Sequence, residues 1–66
     1  MNITVNGKPQ QVAPGTTVAQ LIATLNLKTD RIATEHNLQV LPKARYAETL
    51  VAEGDKFEIV TFVGGG

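Results

Sequence analysis

Met1-Asn2-Ile3-Thr4-Val5-Asn6-Gly7-Lys8-Pro9-Gln10-Gln11-Val12 opens the chain, and its reading decides the fold. Ile3 and Val5 alternate with Asn2 and Thr4, the period of two that marks a strand with one buried face. Asn6-Gly7 follows at once. Both residue types tolerate positive φ, so the pair is a strong short-range hairpin signal. The return segment, residues 8–12, is polar and carries Pro9. Proline has no N–H to give a neighbouring strand, which predicts an edge strand. Pro14-Gly15 then ends the hairpin as a turn.

Working outward, Thr17 and Gln20 stand three residues apart, the spacing of a capping box at a helix start. Val18, Leu21, Ile22 and Leu25 fall at i, i+3, i+4 and i+7, so one helical face is apolar. The pattern stops near Asn26 and predicts about three turns, too short to persist without packing on a sheet. Residues 32–36 predict a third strand, Asn37-Leu38 a turn, and Gln39-Val40-Leu41 a short strand stopped by Pro42. Residues 43–50 predict a single 3₁₀ or helical turn. Gly54-Asp55 is a further turn. Residues 57–63 are the most β-prone run and lead directly into Gly64-Gly65-Gly66. The first and last strands are the most apolar, which places them side by side in the sheet. The order predicts an α+β domain of the β-grasp, ubiquitin-like kind: a mixed sheet of four to five strands packed on one main helix. The domain spans residues 1–63, and residues 64–66 form a mobile tail.

Composition excludes several functions. The 66 residues include six Lys+Arg against six Asp+Glu, so no cationic surplus favours nucleic acid. There is no cysteine, which removes disulfides, thiolate metal sites and a cysteine nucleophile. His36 is the lone histidine, without carboxylates at metal-ligand spacing, so no metal is expected. No apolar run approaches the roughly 20 residues that cross a bilayer, and no signal peptide is evident. A small soluble cytoplasmic protein is expected.

The chemistry lies in the last three residues. At ordinary glycine usage of roughly 7%, a chance Gly-Gly-Gly end has a probability on the order of 0.0003. Glycine resists both helix and strand, so such a tail does nothing for a core. It suits threading into a narrow enzyme cleft, where backbone without Cβ atoms is gripped from every side. Three extended residues reach about 10 Å. A carboxylate is an anion at neutral pH and a poor acyl electrophile, so Gly66 needs activation, most simply as an acyl-adenylate made from ATP. The chain lacks serine and cysteine and has no Gly-x-x-x-x-Gly-Lys-Ser/Thr loop, so it holds neither the usual nucleophiles nor a phosphate cradle. It is expected to be a co-substrate rather than an enzyme, binding no cofactor itself while a partner consumes ATP.

Ile3-Thr4-Val5-Asn6-Gly7, Thr17-Val18-x-x-Leu21-Ile22, Gly54-Asp55-x-x-Glu58-Ile59-Val60 and Phe62-Val63-Gly64-Gly65-Gly66 together resemble the thiamine-pathway sulfur carrier family, ThiS. The resemblance runs nearly end to end. It implies that Gly66 is adenylated by an activating enzyme and converted to a thiocarboxylate with sulfur from a persulfide-bearing donor protein. It further implies that the sulfur goes to thiazole synthase. Gly64 and Gly65 would be the residues by which the tail is recognised. Leu41-Pro42-Lys43 departs from the Val-Pro-Arg of many relatives. The glycine end is shared with molybdopterin-synthase small subunits and ubiquitin-like modifiers, which remain alternatives, as does a non-catalytic β-grasp binding module.

Strand phase places Val60 and Phe62 opposite Phe57 and Ile59, facing away from the helix. With Val63 they are a candidate docking patch, rimmed by Lys56 and Glu58; the alternative is a cover from Tyr46 or a loop. His36 is expected to be a plain surface residue, and Lys28 and Lys43 solvated cations. Arg45 is a weaker candidate for a nucleotide or an acidic partner. Glu35, Glu48, Glu53 and Asp55 show no spacing suited to acid–base work, and Asp55 serves its turn.

Overall fold

Asn6 and Gly7 both take positive φ, 52° and 79°, and reverse the chain between β1 (Asn2–Val5) and β2 (Lys8–Gln11). The structure, a computed structural model, describes residues 1–62. Strands β3 (Ile32–His36), β4 (Gln39–Leu41) and β5 (Lys56–Thr61) complete a five-stranded sheet in the order β2-β1-β5-β3-β4. Proline-bearing β2 lies at one edge, as its missing donor requires. The outermost strands β1 and β5 of the sequence pair in parallel, with Val5 opposite Phe57, and β5 is the central strand. β3 runs antiparallel to β5, from Ile32 opposite Thr61 to His36 opposite Phe57. This is the β-grasp architecture that the element order predicts.

Helix α1 (Val18–Thr24) crosses one face of the sheet. Its four leading N–H groups would be orphans in isolation. Here Val18 donates to the Thr49 carbonyl, Ala19 to the Tyr46 carbonyl, Gln20 to the Thr17 hydroxyl, and Leu21 closes the first helical bond to Thr17. The Gln20 side chain in turn accepts from the Thr17 N–H, completing the expected capping box.

The helix is shorter than its apolar spacing predicts: seven residues, about two turns. Asn26 takes φ 60°, its N–H bonds to the Ala23 carbonyl and the Leu27 N–H reaches back to Ile22. That six-to-one closure satisfies the last carbonyls and ends the helix. Leu25 and Leu27 still pack against the core from the non-helical side. Apolar periodicity thus outlasts the helix by one residue, Leu25.

Val18, Leu21 and Ile22 bury against Ile3, Val5, Ile32, Phe57 and Ile59. Each such side chain withdrawn from water contributes roughly 1.5–3 kcal/mol before entropic costs. Residues 43–45 form a 3₁₀ turn, as expected, and the loop beyond it lays Tyr46 and Val51 into the same core. The Tyr46 hydroxyl donates to buried Thr34 at 2.8 Å, so both polar groups are satisfied inside.

Candidate functional site

With α1 on one face, the alternation of β5 decides what the other face offers. Phe57 is 0% exposed and Ile59 6%, while Val60 is 58% and Phe62 55% exposed. Tyr46 does not cover Val60 or Phe62; its ring is in the core. Past β5, the Phe62 N–H donates to the Arg31 carbonyl at 2.8 Å, which keeps the chain beside β3. The open face therefore runs as far as Phe62, the last described residue. Val63, with Gly64, Gly65 and Gly66 and the mobility expected of them, lies outside the described residues.

Two further residues join this face. Ala33 stands opposite Val60, and Val40 on β4 stands opposite Glu35. Ala33, Glu35, Val40, Glu58 and Val60 line a shallow depression of about 150 Å³. Val40 is not among the residues sequence reasoning placed here. Its signal lies in the β3–β4 turn, because once Asn37-Leu38 sets the register, parity puts Val40 and Glu35 on one side.

Lys43 is not simply solvated. Its Nζ sits 5.7 Å from the centroid of the Phe62 ring, a cation–π contact that rests on the patch. Arg45 pairs with exposed Glu48 at 3.9 Å, an arrangement of little energetic weight.

His36 corrects the sequence expectation. It is not a plain surface residue: its ring stacks on Phe57, 4.7 Å between centroids and 6° between planes. Its Nε2 lies 2.9 Å from Asp55 Oδ2. Asp55 also does more than serve its turn. Its carboxylate accepts from the Ala52 N–H at 2.8 Å and from the Asn37 amide at 3.1 Å, and Asn37 accepts from the Lys56 N–H. Burial pushes the Asp55 pKa up, but the Ala52 N–H, the Asn37 amide and His36 together outweigh it and hold the carboxyl below its ordinary value. Sequence spacing hid this cluster because its members come from two separate turns. It sits where β5 begins, roughly 20 Å from where β5 ends at strand rise over six residues. The cluster ties the β3–β4 turn to the turn before β5.

Among the described residues no three His, Asp or Glu side chains converge as metal ligands. None of the described helices is long and apolar enough to cross a membrane. Among the described residues the candidate surface is an open apolar sheet face with a cation, Lys43, and two carboxylates, Glu35 and Glu58.

Comparison with known proteins agrees with the fold. The ThiS family model matches residues 3–66. The sulfur carrier protein ThiS of Bacillus subtilis is 36% identical over 63 residues, covering 94% of this chain and 96% of that protein. A thiazole synthase of Paramagnetospirillum magneticum is 39% identical over 66 residues; all of this chain is matched, but it spans only 20% of that protein's length. The crystal structure of a thiamine biosynthesis protein (ThiS) from Geobacter metallireducens superposes with TM-score 0.84 at 38% identity, each chain covered in full.

Proposed function

The chain belongs to the ThiS family, and we propose that it is a sulfur carrier of thiamine biosynthesis whose Gly66 carboxylate bears the sulfur. The observation that carries this reading is an open apolar face on β5, the last strand before a Gly-Gly-Gly end in the sequence. Val60 and Phe62 supply an exposed apolar surface, and in the sequence only Val63 separates Phe62 from three residues without side chains. The end-to-end similarity to a bacterial sulfur carrier supports the same assignment.

The chemistry begins with the Gly66 carboxylate attacking the α-phosphorus of ATP on an activating enzyme, releasing pyrophosphate and leaving an acyl-adenylate. The terminal sulfur of a donor protein's persulfide attacks the acyl carbon, a C–S bond forms and AMP departs. A thiol then reduces the resulting acyl disulfide, leaving the thiocarboxylate on Gly66. Thiazole synthase consumes it and returns a carboxylate. A relative named thiazole synthase that carries a segment similar to this whole chain supports that partner. Throughout, the chain's own residues bind and orient. Gly64 and Gly65 let the partner's cleft close on bare backbone, and Val60, Phe62 and Val63 dock.

Intact mass tests this proposal. Incubation with ATP, an adenylating enzyme, a persulfide donor and a reducing thiol should replace one oxygen by sulfur, on the C-terminal peptide alone. Lysine-linked adducts instead would identify a ubiquitin-like modifier. An unchanged mass with active partners would leave a binding module.

A further inference from the structure

Glu35 on β3 and Glu58 on β5 are direct register partners on the open face of the sheet. Directly opposed residues of antiparallel strands hold their Cβ atoms about 4.5–5.5 Å apart, and like charges so placed destabilise the sheet. Among the described residues neither carboxylate has a cation within ion-pair distance; the pairings there are the His36–Asp55 hydrogen bond and the Arg45–Glu48 ion pair. Lys56, two residues before Glu58 on the same strand, does not bridge them either. Around the two carboxylates lie Val40, Ala33 and Val60, which line the same depression.

We propose that this pair is a receptor for a single arginine or lysine side chain of the protein partner that docks on Val40, Val60 and Phe62. The proposal deepens the docking role given to this face above and rests on it. Two carboxylates flanking one point and rimmed by apolar side chains match a planar guanidinium in charge and geometry. The repulsion that the free protein carries is relieved only when the cation arrives, so these groups favour the complex over the free chain. Charge complementarity thus identifies the occupant: a partner surface with one basic residue inside an apolar patch.

The test measures affinity for purified thiazole synthase, at several salt concentrations, with the full chain and its variants Glu35→Gln, Glu58→Gln, the double variant, Val60→Ser and Phe62→Ser. Melting of each free variant is followed in parallel. The glutamine variants should melt no lower than the parent chain, because the repulsion is gone. The double variant should bind about tenfold more weakly, with a shallower dependence on salt. The two single losses should sum to more than the double loss, because one cation meets both groups. If Val60→Ser and Phe62→Ser weaken binding while the double glutamine variant keeps parental affinity and salt dependence, the docking face stands and the cation receptor is overturned. If none of the five variants weakens binding, the docking reading itself fails, and the receptor with it.

Discussion

The side-chain amide of Asn6 pairs with both backbone groups of Ile59, although 53 residues separate them in sequence. The Ile59 N–H donates to Oδ1 at 2.7 Å, and Nδ2 donates to the Ile59 carbonyl at 3.0 Å. The Asn6 side chain continues the β1–β5 ladder at the point where its own backbone turns away. One residue therefore sets the hairpin turn, through φ 52°, and fastens that hairpin to the central strand.

Asn6→Gly keeps the turn's backbone and deletes both bonds. It should lower stability by about 1–3 kcal/mol in denaturant unfolding, the cost of stranding two partly buried backbone groups. Asn6→Asp keeps the acceptor but sets a carboxylate oxygen against the Ile59 carbonyl. It should be the worse of the two at neutral pH. Equal stability of Asn6→Gly and the parent chain would show that water replaces the amide without loss.

Leu38 holds φ 72° at the tip of the β3–β4 hairpin while 75% exposed. A side chain in the left-handed region costs roughly 1–2 kcal/mol, and glycine is free of that strain. Leu38→Gly should therefore raise stability by up to about 1 kcal/mol, net of the added freedom of the unfolded chain. A drop in melting temperature would show that Leu38 makes a stabilising contact its exposure conceals.

How much of this was legible in sequence differs from element to element, for physical reasons. Asn6-Gly7 and the Thr17–Gln20 box are local, since neighbours within four residues determine the geometry. The phase of β5 was legible too, because Phe57 and Ile59 on one side and Val60 and Phe62 on the other leave few alternatives. The end of α1 was not, since Leu25 keeps the helical spacing while Asn26 has already closed the helix. The roles of His36 and Asp55 are not legible in the sequence, because the ring of Phe57 that His36 stacks on and the Asp55 carboxylate it meets lie 21 and 19 residues away, and only the fold brings them together. The Glu35–Glu58 opposition needs the β3–β5 register, which only the folded sheet supplies.

Asp55 gives the stability a defined acid limb. Its folded pKa lies below the unfolded value of about 3.9. The unfolded chain thus binds the proton more readily, and stability rises with pH across that interval. The Asp55 contribution is fully present above the unfolded pKa and is lost as pH falls through the folded one. Asp55→Asn should destabilise the protein at neutral pH, and its unfolding curve should converge with the parent's as pH drops below about 4. Parallel curves over that range would assign the acid limb to another carboxylate.

Gly65→Val, or one residue added after Gly66, should abolish adenylation without lowering the melting temperature. The first places a branched Cβ in the proposed cleft; the second moves the carboxylate out of register. Among the described residues every core side chain lies within residues 3–59, upstream of both changes. ATP–pyrophosphate exchange on the activating enzyme is the readout. Exchange that survives both changes would place the active end elsewhere.

The two faces of β5 should separate stability from binding. Phe57→Ala removes a fully buried ring and should cost about 3–5 kcal/mol, a large part of what a domain this small possesses. Ile59→Ala, at 6% exposure, should cost about 2–5 kcal/mol by the same cavity mechanism. Phe62→Ser forfeits an exposed ring and the Lys43 contact, together about 1 kcal/mol at most. Val60→Ser should cost no more. Partner affinity should run the other way, falling for Val60→Ser and Phe62→Ser while Ile59→Val, which keeps the fold and the open face, binds as the parent does. Melting temperature and affinity measured on the same preparations give the contrast directly. If Phe62→Ser melts the protein as deeply as Phe57→Ala, Phe62 belongs to the core, and the surface that leads to the glycines has to be sought on another strand.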